Sequence, residues 1–382
     1  MTRERHFVLA AGGTGGHMVP AAALAAELTR RGHRVALVSD ERGVRFPGLF
    51  EEVQTHILPA GRMSGGPIGW LKGARAVLAG RAMARELYRT FRPEAVIGFG
   101  GYPALPALLA AFKAKIPAAV HEQNAVLGRV NRLVARRVDA IATSYAEVAR
   151  LKPEWQAKTH LVGNPVREAV LALRDRPYPL IEEDSIFRVL VTGGSQGASV
   201  LSEVVPDGVA MLPVSFRRRL QVTHQARVED IDAARAKYAE LQIAAELATY
   251  LPDMPEQLAW AHLVIARAGA STIAELTAAG RPAILVPLPI ATDDHQTANA
   301  REITAAGGAR TIPQKAFTPK ELAKQMQKLG LDPTALQNAA ARAKSCGRPH
   351  ATRDLADLVE RLAPVRDEPR EYGVPLPAGV TA

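Results

Sequence analysis

The first chemistry this sequence offers is a histidine directly behind a run of glycines, Gly12-Gly13-Thr14-Gly15-Gly16-His17. Imidazole titrates near neutrality and can move a proton at physiological pH. A glycine turn that opens a helix exposes backbone N–H groups at the helix's positive end, which suits a phosphate. His17 therefore reads in two ways: as the base that deprotonates a hydroxyl, or as a group that holds a phosphate or caps the helix. The spacing is not the dinucleotide fingerprint, because Met18 stands where its third glycine belongs. A tight turn with no ligand is a further reading of that stretch alone. Two more glycine turns shift the balance toward a ligand: Gly98-Phe99-Gly100-Gly101 after Ala95-Val96-Ile97, and Gly193-Gly194-Ser195-Gln196-Gly197 after Val189-Leu190-Val191-Thr192.

Other polar groups fall at strand ends. His121-Glu122-Gln123-Asn124 follows the run Ala118 to Val120, where open α/β sheets bind ligands. Glu122 is an alternative base, and Asn124 reads equally as a loop residue or helix cap. Glu275, one turn into the helix after Ala270-Ser271-Thr272, suits ribose hydroxyls; its plain reading is an exposed helix carboxylate near the dipole's positive end. Asp40 reads as a turn cap. Asp293-Asp294-His295 is the nearest approach to a metal-ligand cluster and reads as a solvated loop, so neither metal nor cofactor is expected.

The elements that must position these groups alternate strand and helix twice over. The expectation is an α/β protein of two doubly wound, Rossmann-like domains with parallel sheets, facing each other across a ligand cleft. The first domain spans 1–165 and the second 166–346, with a stretch from Arg174 to Ser185 read as a linker. A C-terminal helix covers 347–364, and a Pro-rich tail, 365–382, reads as disordered. Pro20 is placed near the first turn of the opening helix.

At 382 residues the chain is too long for one ordinary core, and its single cysteine, Cys346, permits no intrachain disulfide. No signal-peptide core is read at the N-terminus. The longest apolar stretch, around Ala104 to Phe112, is about half the ~18 residues a membrane span needs. Charge is uneven: residues 1–165 carry 23 Lys and Arg against 12 Asp and Glu, and the remainder 25 against 26. That excess points to an anionic partner for the first half. Few aromatics and no recognition signature speak against nucleic acid. After a 61–69 loop, a basic helix offers Ile68, Trp70, Leu71, Val77 and Leu78 beside Lys72, Arg75, Arg81 and Arg85. This pattern fits either docking on an anionic membrane surface or packing on the helix's own domain.

Five motifs in order carry a resemblance: Gly12 to His17, His121 to Asn124, Gly163-Asn164-Pro165-Val166-Arg167, Gly193 to Ala198, and Arg267-Ala268-Gly269-Ala270-Ser271-Thr272. The chain resembles the MurG family, the N-acetylglucosaminyltransferases of bacterial peptidoglycan synthesis, from about residue 6 to residue 362. Residues 61–67 and those beyond Pro364 depart from the family's pattern. The resemblance implies a GT-B glycosyltransferase whose first domain takes lipid I and whose second takes UDP-N-acetylglucosamine, making lipid II with inversion. It implies a peripheral enzyme on the cytoplasmic face of the inner membrane, with cell-wall synthesis proteins as partners. It also implies that Thr14, Gly15, Gly16, Asn124, Arg167, Ser195, Leu251, Ala270, Ser271, Thr272, Ile273, Ala274, Glu275 and Gln296 contact the donor. Another sugar-nucleotide enzyme on this fold, an epimerase or glycolipid synthase, and an inactive binding scaffold are the competing classes.

Overall fold

The computed structural model describes residues 3–43, 49–50, 53–59, 61, 66–182, 185–194, 197–289, 291–330 and 332–363. The apolar runs of the first half form strands β1 (His6–Ala10), β2 (Arg34–Ser39), β3 (Gln54–Ile57), β4 (Ala95–Gly98), β5 (Ala118–Glu122), β6 (Ala140–Thr143) and β7 (Thr159–Leu161). They make one sheet in the order β3-β2-β1-β4-β5-β6-β7. The second half supplies β8 (Phe187–Thr192), β9 (Leu220–Gln225), β10 (Ala244–Ala248), β11 (Leu263–Ala266), β12 (Ala283–Leu285) and β13 (Ala309–Thr311), ordered β10-β9-β8-β11-β12-β13. Every pairing is parallel; Leu9, for example, sits opposite both Leu37 and Ile97.

Parallel sheets are covered on both faces, so their central strands carry continuous apolar runs rather than alternation. Phe7, Val8, Leu9 and Ala10 are fully buried, as are Leu190 and Val191. In each sheet the order reverses beside the first strand, between β1 and β4 and between β8 and β11. Such reversals open a crevice at the carboxyl ends of the strands, and all three glycine turns lie there.

The structure departs from the sequence reading in four places. The first helix begins at Gly15 and runs to Arg30, which puts Pro20 inside it rather than at its first turn. The glycines are poor helix formers, yet helical backbone extends back to the end of the turn. The basic helix begins at Gly66, inside the stretch read as a loop, and continues to Phe91. Strands β3 and β13 were not legible. β3 is a polar edge segment, Gln-Thr-His-Ile, with no fully buried face, and β13 is only 3 residues long. The disorder read for 365–382 falls outside the described residues.

The last helix, Ala351–Leu362, returns to the first sheet. Leu355, Leu358 and Val359 enter the same core as Phe7, Leu9, Leu24 and Leu28. Burying each such side chain contributes about 1.5–3 kcal/mol. Arg31 fastens the contact, reaching Glu27 at 2.8 Å, Asp357 at 2.6 Å and Glu360 at 2.8 Å. The end of the chain is thus part of the first unit's packing.

Candidate active site

The two rows of strand ends face each other and touch. Asn299 on the helix His295–Asn299 accepts the Ala125 N–H at 2.8 Å and donates to Asn124 Oδ1 at 3.0 Å. Arg132 of the first unit lies 2.9 Å from Asp293 of the second.

His17 sits in the first turn of the helix Gly15–Arg30, half-buried at this cleft. Its Nδ1 is 3.2 Å from the Gly12 carbonyl and 3.3 Å from Thr14 Oγ1. A carbonyl only accepts, so Nδ1 carries the proton and Nε2 keeps a lone pair. Burial pushes the His17 pKa below the ordinary imidazole value; the Gly12 carbonyl opposes the shift and His295, brought up by the second unit, adds to it. The ring is therefore neutral, in the tautomer a base requires. The second glycine turn covers it. Gly100 has φ +86°, so a side chain there would strain the backbone, and its Cβ would stand in van der Waals contact with His17 Nε2 at 3.5 Å. The first turn is braced from below, because Gly13 N–H donates to Asp40 Oδ1 at 3.0 Å. The same oxygen takes the Gly43 N–H, as a turn cap does.

Glu122 does not offer a base. Its Oε1 accepts from the Asn124 N–H and side chain at 3.1 and 3.2 Å, and its Oε2 from the Gly128 N–H and Asn131 Nδ2 at 2.7 and 2.8 Å. Burial pushes its pKa up while these donors pull it back. A fully buried carboxylate holding four donors braces the 122–131 segment, and the alternative of Glu122 as base is corrected on that ground. His121 is also structural: Nε2 meets the Gly163 carbonyl at 2.9 Å, Gln123 donates to Nδ1, and burial pushes its pKa down to about 4.

Three helix starts converge on the cleft: Gly15–Arg30, Ser199–Ala210 and Ala270–Ala279. None has a side-chain cap or an acidic residue in its first turn. Their leading N–H groups are left for an anion. Thr14, Gly15 and Gly16 belong to the first start. Ser195 lies outside the described residues. The rest of its turn closes tightly: a Cβ on Gly193 would stand 2.4 Å from Ala198 N. Thr192 Oγ1 and Gln225 lock the turn at 2.6 Å, and Gln225 Nε2 donates to the Gly194 carbonyl at 3.2 Å.

In the helix Ala270–Ala279, Ser271, Thr272, Ala274 and Glu275 are half-buried. Ser271 Oγ is buried with no hydrogen-bond partner among the described residues. Glu275 is not the exposed helix carboxylate of the plainer reading. It pairs with Arg167 at 2.8 Å, and burial pushes its pKa up against the pull of that guanidinium. Gln296 Oε1 accepts from Ala268 N at 3.2 Å and Leu288 N at 3.0 Å, tying together the loops after β11 and β12. Leu251, Ala270 and Ile273 are buried, and Leu251 and Ile273 pack in the second unit's core.

Sequence reasoning missed Asn299 and Asn131, both buried braces. Their only signal is an amide inside a short helix. Asp293 is not a solvated loop residue, because two arginines hold it. On the basic helix, Ile68, Trp70, Leu71 and Leu78 are 72%, 56%, 55% and 61% exposed, and Lys72 and Arg75 are exposed beside them. Val77 is 7% exposed and belongs to the core, so at this position the helix packs on its own domain. Among the described residues no helix is long and apolar enough to cross a membrane.

Two parallel α/β units meeting across a cleft lined by glycine turns and open helix starts are the GT-B architecture. Residues 7–143 match the glycosyltransferase family 28 N-terminal domain, and residues 188–361 its C-terminal domain. The chain belongs to glycosyltransferase family 28. It is 64% identical over 362 residues to the UDP-N-acetylglucosamine--N-acetylmuramyl-(pentapeptide) pyrophosphoryl-undecaprenol N-acetylglucosamine transferase of Zymomonas mobilis, covering 95% of this chain and 94% of the relative. The protein of the same name from Novosphingobium aromaticivorans is 65% identical over 368 residues, with 96% and 95% covered. The crystal structure of Acinetobacter baumannii MurG superposes with a TM-score of 0.75 at 29% identity, covering 94% of this chain and 99% of that one.

Proposed function

We infer that the protein transfers N-acetylglucosamine from UDP-N-acetylglucosamine to lipid I, undecaprenyl-diphosphoryl-MurNAc-pentapeptide, inverting the sugar carbon and making lipid II. The observation that carries this reading is identity of 64–65% over nearly the whole of relatives bearing that activity in their names. The local chemistry agrees with it. The second unit, about 166–346, holds the donor, with Glu275 at the ribose, Arg167 and Gln296 among the donor contacts, and the starts of Ser199–Ala210 and Ala270–Ala279 at the diphosphate. Preorganised N–H donors stabilise the charge that grows on departing UDP. The first unit, about 1–165, holds the acceptor. His17 Nε2 takes the proton from its attacking hydroxyl, the hydroxyl oxygen bonds to the anomeric carbon from the face opposite UDP, and the sugar–phosphate bond breaks. Thr14 and the Gly12 carbonyl keep the ring in the basic tautomer.

The test of this reading is incubation with UDP-N-acetylglucosamine and a lipid I analogue. A product heavier by one N-acetylhexosamine supports the assignment, and release of UDP without such a product removes it.

The acceptor's isoprenoid stays in the bilayer, so its sugar has to be reached at the surface. The reading therefore places the enzyme peripherally on the cytoplasmic face of the inner membrane, docked by Ile68, Trp70, Leu71, Lys72 and Arg75. Each basic group near an anionic leaflet contributes about 1 kcal/mol, screened by salt. Binding to anionic vesicles is expected to weaken as salt rises and to drop further in Trp70→Ser/Leu71→Ser, while turnover of a soluble short-chain acceptor survives. Because both side chains are more than half exposed, the fold tolerates the change. Vesicle binding equal to the parent's would remove this face from docking.

A further inference from the structure

Two residues with left-handed backbone, Arg150 and Asp293, meet in an ion pair across the cleft. Among the described residues, six that are not glycine have positive φ: Arg92, Lys115, Arg150, Gln242, Asp293 and Asp294. Arg150 (φ 67°) and Asp293 (φ 57°) come together because Asp293 reaches across the cleft, and Asp294 (φ 51°) follows it in the chain. Its Oδ2 lies 2.9 Å from Arg132 Nη2, and its Oδ1 lies 3.1 Å from Arg150 Nη2. L-residues adopt this backbone at a cost, and it persists where the surroundings over-determine it.

The strained turn leads straight into the helix His295–Asn299, which carries Gln296 and Asn299. On the other side, Arg132 lies in the helix Arg129–Val134 beside Asn131. Asn131 donates to Glu122 Oε2 at 2.8 Å, and its Nδ2 is 3.7 Å from where a Cβ on Gly100 would stand, in the turn that covers His17. One carboxylate therefore ties the helix that carries Gln296 to the helix whose Asn131 holds Glu122 and lies close to the turn over His17.

We propose that Asp293 is a positioning residue for sugar transfer. Its two salt bridges, to Arg132 and Arg150, hold the 293–294 turn in its strained form, setting Gln296 toward the donor while fixing the segment that supports the turn over His17. The proposal rests on the roles given to His17 and Gln296 above. Donor-side and acceptor-side elements then reach their working positions together, only when the two units face each other.

Asp293→Asn keeps the side chain's shape and removes its charge. With UDP-N-acetylglucosamine and a soluble acceptor analogue, kcat is expected to fall about 10-fold, while calorimetric affinity for UDP stays within about twofold. Arg132→Gln/Arg150→Gln is expected to reproduce that loss. Combining all three changes loses no more than either variant alone, because the same clamp has been removed. A parent-like kcat in Asp293→Asn, or losses that multiply, overturns the proposal. Amide hydrogen exchange reads the clamp without turnover. In Asp293→Asn, exchange is expected to rise in both 129–134 and 293–299, and no change, or a change confined to 293–299, overturns the proposal. Should the parent transfer no sugar, the functional reading fails, and the exchange result still decides the clamp.

Discussion

Replacing His17 with alanine is expected to lower kcat by about 10²–10⁴-fold, with UDP affinity and thermal stability close to the parent's. The imidazole is half-buried at the cleft and, among the described residues, its hydrogen bonds are to Thr14 and the Gly12 carbonyl, so its removal leaves both cores intact. The pH profile supplies an independent check. Transfer needs neutral His17, so kcat/KM falls as pH drops through its pKa. Burial lowers that pKa, and the acid limb of the profile is therefore expected below the ordinary imidazole value of 6.5. The limb disappears in His17→Ala. A variant that loses UDP binding in proportion to its rate would assign His17 to holding phosphate instead.

The second large effect falls on the donor. Glu275→Ala is expected to raise the donor KM by roughly 10-fold or more. Losing hydrogen bonds to a charged group costs about 1.5–3 kcal/mol, and about 1.4 kcal/mol is a factor of ten. The structure adds a complication, because Glu275 is also the partner of Arg167 at 2.8 Å. Alanine removes both the acceptor for ribose and the counter-ion of a partly buried guanidinium. Glu275→Gln separates the two: it keeps an oxygen for the ribose and gives up the charge. A donor KM nearer the parent's in Gln than in Ala assigns the effect to ribose, and an unchanged KM in both takes Glu275 out of the site.

The doubly wound architecture was legible because parallel strands buried on both faces leave continuous apolar runs, such as Phe7 to Ala11 and Phe187 to Thr192, each ending in glycines. The ligand-facing groups were legible for the same reason: they follow strand ends. Side-chain partnerships between distant segments were not. Nothing local says that Arg167 meets Glu275, or that Asn299 meets Asn124, since those pairs are 108 and 175 residues apart. Glu122 was misread because a carboxylate at a strand end is placed like a catalytic group, and only its four donors reveal a brace. Val77's burial was not legible because an amphipathic helix does not announce which of its apolar residues face the core. Its neighbours Trp70 and Leu71 are exposed while it is buried. Asp293 was misread as solvated because an acidic loop looks the same in sequence whether or not arginines from another unit close on it.

The reaction proposed for this cleft joins N-acetylglucosamine to lipid I by direct displacement, with His17 as the base. The most direct measurement follows the parent reaction, UDP-N-acetylglucosamine with a soluble lipid I analogue, by proton NMR and mass spectrometry together. One N-acetylglucosamine is expected on the acceptor, β-linked from the α-linked donor, with one UDP released per linkage and the rate lost in His17→Ala. An α-linked product, free sugar, or N-acetylmannosamine formed in place of the linkage would contradict it.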